Sequence, residues 1–303
     1  MNFEQELIGL LGGPEIKKDE PMARHTSWKV GGAADYFLVP RKREQLPALA
    51  SLCKEYEVPL TVIGNGTNLL VREGGLRGLV IKLGPAFQYI DREGLKLRVG
   101  AGTSLPHLVS GAVAGGLAGL EPLGGIPGTV GGALIMNAGA FGTYIGELVE
   151  EVMLVDTAGE AGELRLLTRE ECGFKYRQSN LARQGIISEV LLQLREGDPV
   201  SLGRRAREYQ EERLRRHPRQ PSAGSVFKNP PGSPAGRLIE AAGGKGLQVG
   251  GAQVSPQHAN FIVNRGGATA GDILALMAKV QGLVKEKFNL ELQPEVQIIG
   301  EEV

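Results

Sequence analysis

From Val99 to Leu164 the chain carries no lysine or arginine, although 34 of its 303 residues are one or the other. A phosphate held in that stretch would have to be met by backbone N–H groups and helix N-termini rather than by cationic side chains. Cysteine is nearly missing too. Cys53 and Cys172 are the two present, with no C-x-x-C spacing and no histidine cluster beside them, which excludes a disulfide framework and a zinc site and points to reduced thiols in a cytosolic protein. The formal net charge is zero, so the chain has no overall attraction for nucleic acid. Its apolar runs are short and broken by glycine, too short for a membrane span. The opening MNFEQELIGLLGG has acidic residues and no basic stretch before its apolar part, unlike a secretory signal.

What the chain does have is glycine, concentrated in one place. GGLAGLEPLGGIPGTVGGALIMNAGAFG, residues 115 to 142, holds ten. Such density weakens helices and strands, so it belongs where the backbone takes positive φ or approaches something closely. The apolar residues between these glycines argue against a flexible linker, which would be polar. Upstream, a strand pattern followed by G-x-G-T-N/S-L occurs twice, at Gly64-Asn65-Gly66-Thr67-Asn68 and at Gly100-Ala101-Gly102-Thr103-Ser104. Neither turn completes the dinucleotide fingerprint, because Leu69 and Leu105 stand where glycine or alanine is needed. Together with the long glycine segment they point to a nucleotide cofactor bound by a fold other than Rossmann, through backbone donors in residues 64 to 68, 100 to 104 and 124 to 132.

A length of 303 residues with 42% hydrophobic content fits two or three globular domains. In order, the patterns predict a short amphipathic helix and polar connection over residues 1 to about 22, then a strand from Ala34 to Val39. A helix follows, marked by Leu46, Leu49, Ala50, Leu52 and Cys53, and then strands near 60–63, 79–83, 95–99, 150–156 and 186–194. Thr168-Arg169-Glu170-Glu171 matches a capping box. Asp198 to Arg219 pairs Arg and Glu at i, i+4 four times, which predicts an exposed helix leading into a new domain. Nucleic-acid binding is the sharper reading of its arginines, and the interleaved glutamates oppose it. Beyond it, Gly236 to Ala242 reads as a helix ended by Gly243-Gly244 and Phe261 to Val263 as a strand. Ile273, Leu276, Met277, Val280, Leu283 and Val284 mark one face of a closing helix. In the last segment Val296 and Ile298 alternate with Glu295 and Gln297. Arg177, Ser225, Lys228 and Glu295 each pass alone for an ordinary solvated side chain.

With GSVFKNP (224 to 230) in view, the chain resembles the MurB family of UDP-N-acetylenolpyruvoylglucosamine reductases. The likeness runs from His25-Thr26-Ser27-Trp28 through IGNGTNLL (63 to 70), EPLGGIPGTVGGALIMNAGAFG (121 to 142), YRQS (176 to 179) and HANFIVN (258 to 264) to LQPEVQIIG (292 to 300). The resemblance implies an α+β fold: an FAD-binding module of the vanillyl-alcohol-oxidase type in two subdomains, at 1–90 and 91–198, and a C-terminal α+β substrate domain at 199–303. About 45 residues separate Arg177 from Ser225, which resembles the family's shorter form, lacking an inserted substrate-gripping tyrosine.

The resemblance further implies non-covalent FAD, NADPH as hydride donor, and a cytoplasmic monomer that reduces the enolpyruvyl ether of UDP-N-acetylglucosamine enolpyruvate. It places FAD contacts at Ile63 with Gly64, Asn65, Gly66, Thr67 and Asn68; at Gly100, Ala101 and Gly102; at Gly124, Gly125, Ile126, Pro127, Gly128 and Thr129; and at Gly131, Gly132, Asn137, Ala138 and Gly139. It carries Arg177 and Glu295 onto carboxylate stabilisation and Ser225 onto proton donation. Substrate contacts fall to Tyr176, Lys228, Asn229, Gln253, His258 and Asn260, with Lys228 open between assisting Ser225 and meeting the UDP phosphates. The alternatives are another flavin oxidoreductase of this fold, acting on alcohols or lactones, and a non-catalytic flavin or UDP-sugar binding module.

Overall fold

The computed structural model describes residues 2–11 and 16–302. They form two compact units. The first takes in the described residues up to Lys18, Tyr36–Gly64 and Gly78–Glu212, and the second Asp19–Asp35, Asn65–Arg77 and Arg213 onward. Among the described residues no helix is long and apolar enough to cross a membrane.

The first unit is built on a five-stranded antiparallel sheet. Its order is Leu164–Thr168, Val149–Asp156, Gly185–Gln193, Lys96–Gly100 and Ile90–Glu93. Leu97, Val99, Val152, Leu154, Val190 and Leu192 all lie in its core. In a second sheet Leu60–Ile63 runs parallel to the Leu79–Lys82 end of the strand Leu76–Lys82 and delivers the chain to Gly64. The helix Gln45–Glu55 buries the residues its periodicity marks: Leu46, Leu49, Ala50, Leu52 and Cys53. The strand Lys17–Pro21 is a correction to the expected polar connection; the part of that expectation falling on residues 12–15 lies outside the described residues. Four of its five side chains are exposed, so it is a charged edge strand without the apolar alternation that betrays most strands. The Thr168 motif also ends differently. Its backbone N–H and hydroxyl both donate to Glu171 Oε2, at 2.8 and 2.9 Å, but a turn follows instead of a helix, and Gly173 takes φ 59° five residues on.

The second unit packs around Trp28, which is fully buried. Its indole Nε1 donates to the carbonyl of Ile262 at 2.7 Å, and Asn264 Nδ2 donates to the carbonyl of Trp28 at 2.9 Å. The closing helix Ala270–Phe288 carries a true capping box: Thr269 accepts from the Asp272 N–H at 3.0 Å while Asp272 accepts from the Thr269 N–H at 3.1 Å. That N–H bond holds the Asp272 carboxyl below its usual range. Ile273, Leu276, Met277, Val280 and Val284 are buried as the spacing predicts. The final strand is shorter than the alternation suggests. It spans Gln297–Ile299 and runs parallel to Leu69–Val71.

Because the sequence holds a single tryptophan, its emission reports on the second unit alone. Asn264 also accepts from the N–H groups of Gly266 and Ala268, at 2.8 and 3.2 Å. Asn264→Ala should therefore cost roughly 1–3 kcal/mol, chiefly by leaving the buried Trp28 carbonyl unsatisfied, read as a lower urea midpoint of the tryptophan transition. An unchanged midpoint would mean that water replaces the amide without loss.

Candidate active site

In the first unit the glycine turn and the long glycine segment are sewn to each other. Leu105 N–H donates to Gly128 O at 3.0 Å, Val130 N–H to Thr103 O at 2.8 Å, and Gly131 N–H to Ala101 O at 2.8 Å, around an antiparallel bridge between Ser104 and Thr129. Gly128 has φ 135°, a backbone position that side chains rarely tolerate. Thr129 then caps the helix Val130–Ile135, its hydroxyl accepting from Gly132 N–H at 3.3 Å. A Cβ on Gly64 would sit 2.3 Å from that same hydroxyl oxygen, so three of the expected segments meet at Thr129.

This arrangement changes what the glycines are for. Gly100 N–H donates to Tyr89 O, Ala101 to Ser188 O, Gly102 to Phe87 O, Thr103 to Gly100 O, Gly124 to Glu121 O and Ile126 to Leu123 O. With Val130, Gly131 and Gly132, most of the N–H groups expected to face a phosphate in residues 100 to 104 and 124 to 132 are committed inside the chain. Their glycines serve close approach of one backbone to another: a Cβ on Gly100 would lie 2.3 Å from Phe87 O, and one on Gly131 3.1 Å from Ala101.

Beside the sewn segments lies a cavity of about 240 Å³. Ile63, Gly64, Ala101, Thr129, Gly131 and Gly132 line it together with apolar side chains that include Leu83, Ile135, Ile186 and Ile187, and no lysine or arginine does. It is somewhat smaller than pockets that enclose a whole drug-sized ligand, the scale of one part of a dinucleotide. Gly132 differs from its neighbours, because a Cβ there would meet only the Thr129 hydroxyl at an ordinary 3.5 Å. Walls of aliphatic side chains and glycine without a cation suit an uncharged ring better than a phosphate. Ile186 and Ile187 read in sequence only as strand, since nothing in a β pattern says which face meets a ligand.

Tyr176 and Arg177 form the tip of a tight turn in the first unit. Lys175 and Gln178 exchange backbone hydrogen bonds of 2.9 and 3.2 Å across it, and Arg177 takes φ 53°. The Arg177 guanidinium lies 5.3 Å from the Tyr176 ring centroid, a cation–π distance. Asn137 is 6% exposed, and its amide bonds to Gly146 and Lys175. Ala138 N–H is committed to Ala133 O, and a Cβ on Gly139 would strike the Tyr144 ring.

In the second unit Ser225 and Glu295 stand on neighbouring segments. Val226, next to Ser225, accepts from Glu295 N–H at 2.7 Å, Phe227 bridges Pro294, and Lys228 N–H donates to Gln293 O at 2.8 Å. Asn260 clamps the same loop from the other side: Oδ1 accepts from Phe227 N–H at 3.0 Å and Nδ2 donates to Phe227 O at 2.8 Å. Only 3% exposed, it supports the loop from behind. Asn68, expected at a cofactor, donates to Glu295 O at 3.2 Å and accepts from Gln297 N–H at 2.9 Å. Gly66 in the same Asn65–Thr67 turn has φ 61°, and its carbonyl accepts from Ser27 N–H at 3.1 Å. Asn229 accepts from Ala235 N–H at 2.9 Å and Gln253 donates to Gly246 O at 3.2 Å. The His258 ring sits edge-on to His217 and Phe261. Burial pushes the pKa of His258 down and that of His217 to about 3, so both rings are neutral at pH 7. Among the described residues no cluster of His, Cys, Asp or Glu could hold a metal.

Comparison with known proteins bears on both units. Residues 34–165 match the model of an FAD binding domain, and residues 216–299 match the C-terminal domain of UDP-N-acetylenolpyruvoylglucosamine reductase. The reductase of that name from Desulforamulus reducens is 44% identical over 299 residues, covering 98% of this chain and 97% of the relative. That from Heliobacterium modesticaldum is 48% identical over 287 residues, 94% of this chain and 90% of its own. The chain belongs to this reductase family. A solved family structure, the MurB of Thermus caldophilus, aligns with TM-score 0.80 at 41% identity over 92% of this chain and 97% of its own. The protein is an FAD-dependent oxidoreductase with the family's α+β fold, an FAD-binding domain followed by the reductase family's C-terminal domain.

Gly131 and Gly132 both line the cavity, and only Gly131 lies tight against another backbone. Gly132→Val should weaken FAD binding at least ~10-fold, about 1.4 kcal/mol, while the apoprotein keeps its thermal midpoint. Gly131→Val should lower that midpoint as well, because its side chain meets Ala101. Equal FAD affinity in wild type and Gly132→Val, measured by flavin fluorescence, would remove the cavity from the cofactor site.

Proposed function

We propose that the enzyme reduces the enolpyruvyl ether of UDP-N-acetylenolpyruvoylglucosamine to UDP-N-acetylmuramate in the cytoplasm, with NADPH as the source of hydride. Bound FAD supplies the chemistry of relaying that hydride from the nicotinamide to substrate. The observation that carries the reading is the placement of Ser225 and Glu295 on adjoining segments locked by the Glu295 N–H to Val226 O bond, within a chain whose family membership spans nearly its whole length.

The substrate chemistry assigns the roles. Hydride arriving at C3 of the enol ether leaves negative charge on C2 and its carboxylate, and a proton must then reach C2. The Arg177 guanidinium, held at the tip of its turn, is a bidentate partner for that carboxylate. Glu295 shares the role as a neutral acid, donating a hydrogen bond to the same charge. Ser225 gives its hydroxyl proton to C2. Lys228 follows three residues later on the same loop, supplying positive charge for the anionic substrate or for Ser225. Tyr176, Asn229, Gln253 and His258 contribute polar and ring contacts to the nucleotide sugar. We assign the FAD module to residues 1–198, in subdomains 1–90 and 91–198, and the substrate domain to 199–303.

The two half-reactions separate these roles. Flavin reduction by NADPH needs no proton at substrate C2, so Ser225→Ala should leave it near the wild-type rate. Flavin reoxidation by the enolpyruvyl substrate should fall at least ~10²-fold, the scale of general-acid catalysis. Anaerobic double-mixing absorbance measures both. Equal slowing of the two would make Ser225 a structural residue, and a wild-type flavin that the substrate cannot reoxidise would end the reading altogether.

A further inference from the structure

Asn137 was expected among the FAD contacts, but its side chain is aimed elsewhere. Its Oδ1 accepts from Gly146 N–H at 3.0 Å and its Nδ2 donates to Lys175 O at 3.0 Å. A backbone N–H on one side and a carbonyl on the other fix the orientation of the amide, since no flipped arrangement satisfies both. Lys175 is the residue whose backbone closes the turn that presents Tyr176 and Arg177. On the far side of that turn Ser179 Oγ donates to Ile135 O at 2.9 Å. Both arms of the Arg177 turn are thereby tied to residues 135 and 137, at and just beyond the end of the helix Val130–Ile135 whose Gly131 and Gly132 line the cavity.

Two further features show that the site is built around this amide. Asn137 has φ 41°, a left-handed position that asparagine tolerates better than other side chains. A Cβ on Gly146 would come within 2.7 Å of Asn137 Oδ1 and 2.6 Å of the Phe174 ring, so glycine there leaves room for the bond. Arg177 is itself left-handed at φ 53°. A non-glycine residue in that region persists only where its surroundings hold it, and such residues cluster at functional sites.

We propose that Asn137 is a positioning residue that fixes the Arg177 turn against the end of the flavin-side helix, setting where the guanidinium meets the substrate carboxylate. The inference rests on the reading of Arg177 given above. Displacements of about 1 Å in a charge-stabilising group cost up to ~10²-fold in rate.

Asn137→Gly is the informative variant, because glycine accepts the left-handed backbone and deletes both hydrogen bonds. Asn137→Asp keeps the acceptor for Gly146 and sets a carboxylate against Lys175 O. In both, FAD affinity and flavin reduction by NADPH should match wild type, while reoxidation by the enolpyruvyl substrate falls ~10-fold to ~10²-fold. Limited trypsin digestion of the holoenzyme gives a reading independent of turnover. Cleavage after Arg177, identified by fragment mass, should accelerate at least ~10-fold in Asn137→Gly, as expected of a turn released from one of its ties. Wild-type cleavage and wild-type reoxidation in the variants would overturn the proposal, as would loss of FAD or equal slowing of both half-reactions. A wild-type enzyme that the substrate cannot reoxidise defeats the reading of Arg177 instead, and the digestion then decides alone whether Asn137 holds the turn.

Discussion

Three backbone hydrogen bonds, from Leu105 to Gly128, Val130 to Thr103 and Gly131 to Ala101, fix the geometry on which the rest of the first unit depends. They join the turn after the strand Lys96–Gly100 to the loop before the helix Val130–Ile135, and so bring the central sheet to the wall of the cavity. The glycines follow from this constraint. Backbones that approach closely enough to exchange such bonds leave a Cβ at Gly131 crowded against Ala101, and the turn at Gly128 has a positive φ. A cavity whose walls are committed to each other is formed before any ligand arrives, which lowers the ordering cost of binding.

The same logic orders the second unit on a smaller scale. Ser225 owes its place to Val226 and Phe227, which are gripped by Asn260 on one side and by the segment around Glu295 on the other. Asn68 braces Glu295 in turn. A weak acid such as a serine hydroxyl gains from being held still, because proton transfer depends steeply on approach. Two asparagines, Asn137 and Asn260, are thus bonded alike in separate units: each uses both ends of its amide to hold a backbone segment next to a residue with a proposed role, Arg177 or Ser225.

Much of this was legible in the sequence. Periodicity located the helices Gln45–Glu55 and Ala270–Phe288 with their buried faces, because burial repeats at the helical period. The glycine segments marked the cavity, and the ordered motifs marked the family. What the sequence hid was direction. It gave no sign that the N–H groups of Ala101, Gly102 and Val130 turn inward to other backbone rather than toward a phosphate, since donors look alike whatever they meet. Asn68, Asn137 and Asn260 read as ligand contacts for the same reason: a short amide suits a loop carbonyl as well as a substrate. The strand Lys17–Pro21 escaped because an edge strand with charged side chains carries no alternation, and the Thr168 motif misled because its bonds to Glu171 form equally well on a turn.

The chain's own hydrogen bonds hold the wall of the cavity in place. Amide hydrogen exchange of the FAD-free protein, read at Ala101, Leu105, Val130 and Gly131, measures how firmly. All four should be strongly protected without FAD and slow little further when FAD is added. Rapid exchange at these amides in the apoprotein, with protection appearing only on FAD binding, would contradict that.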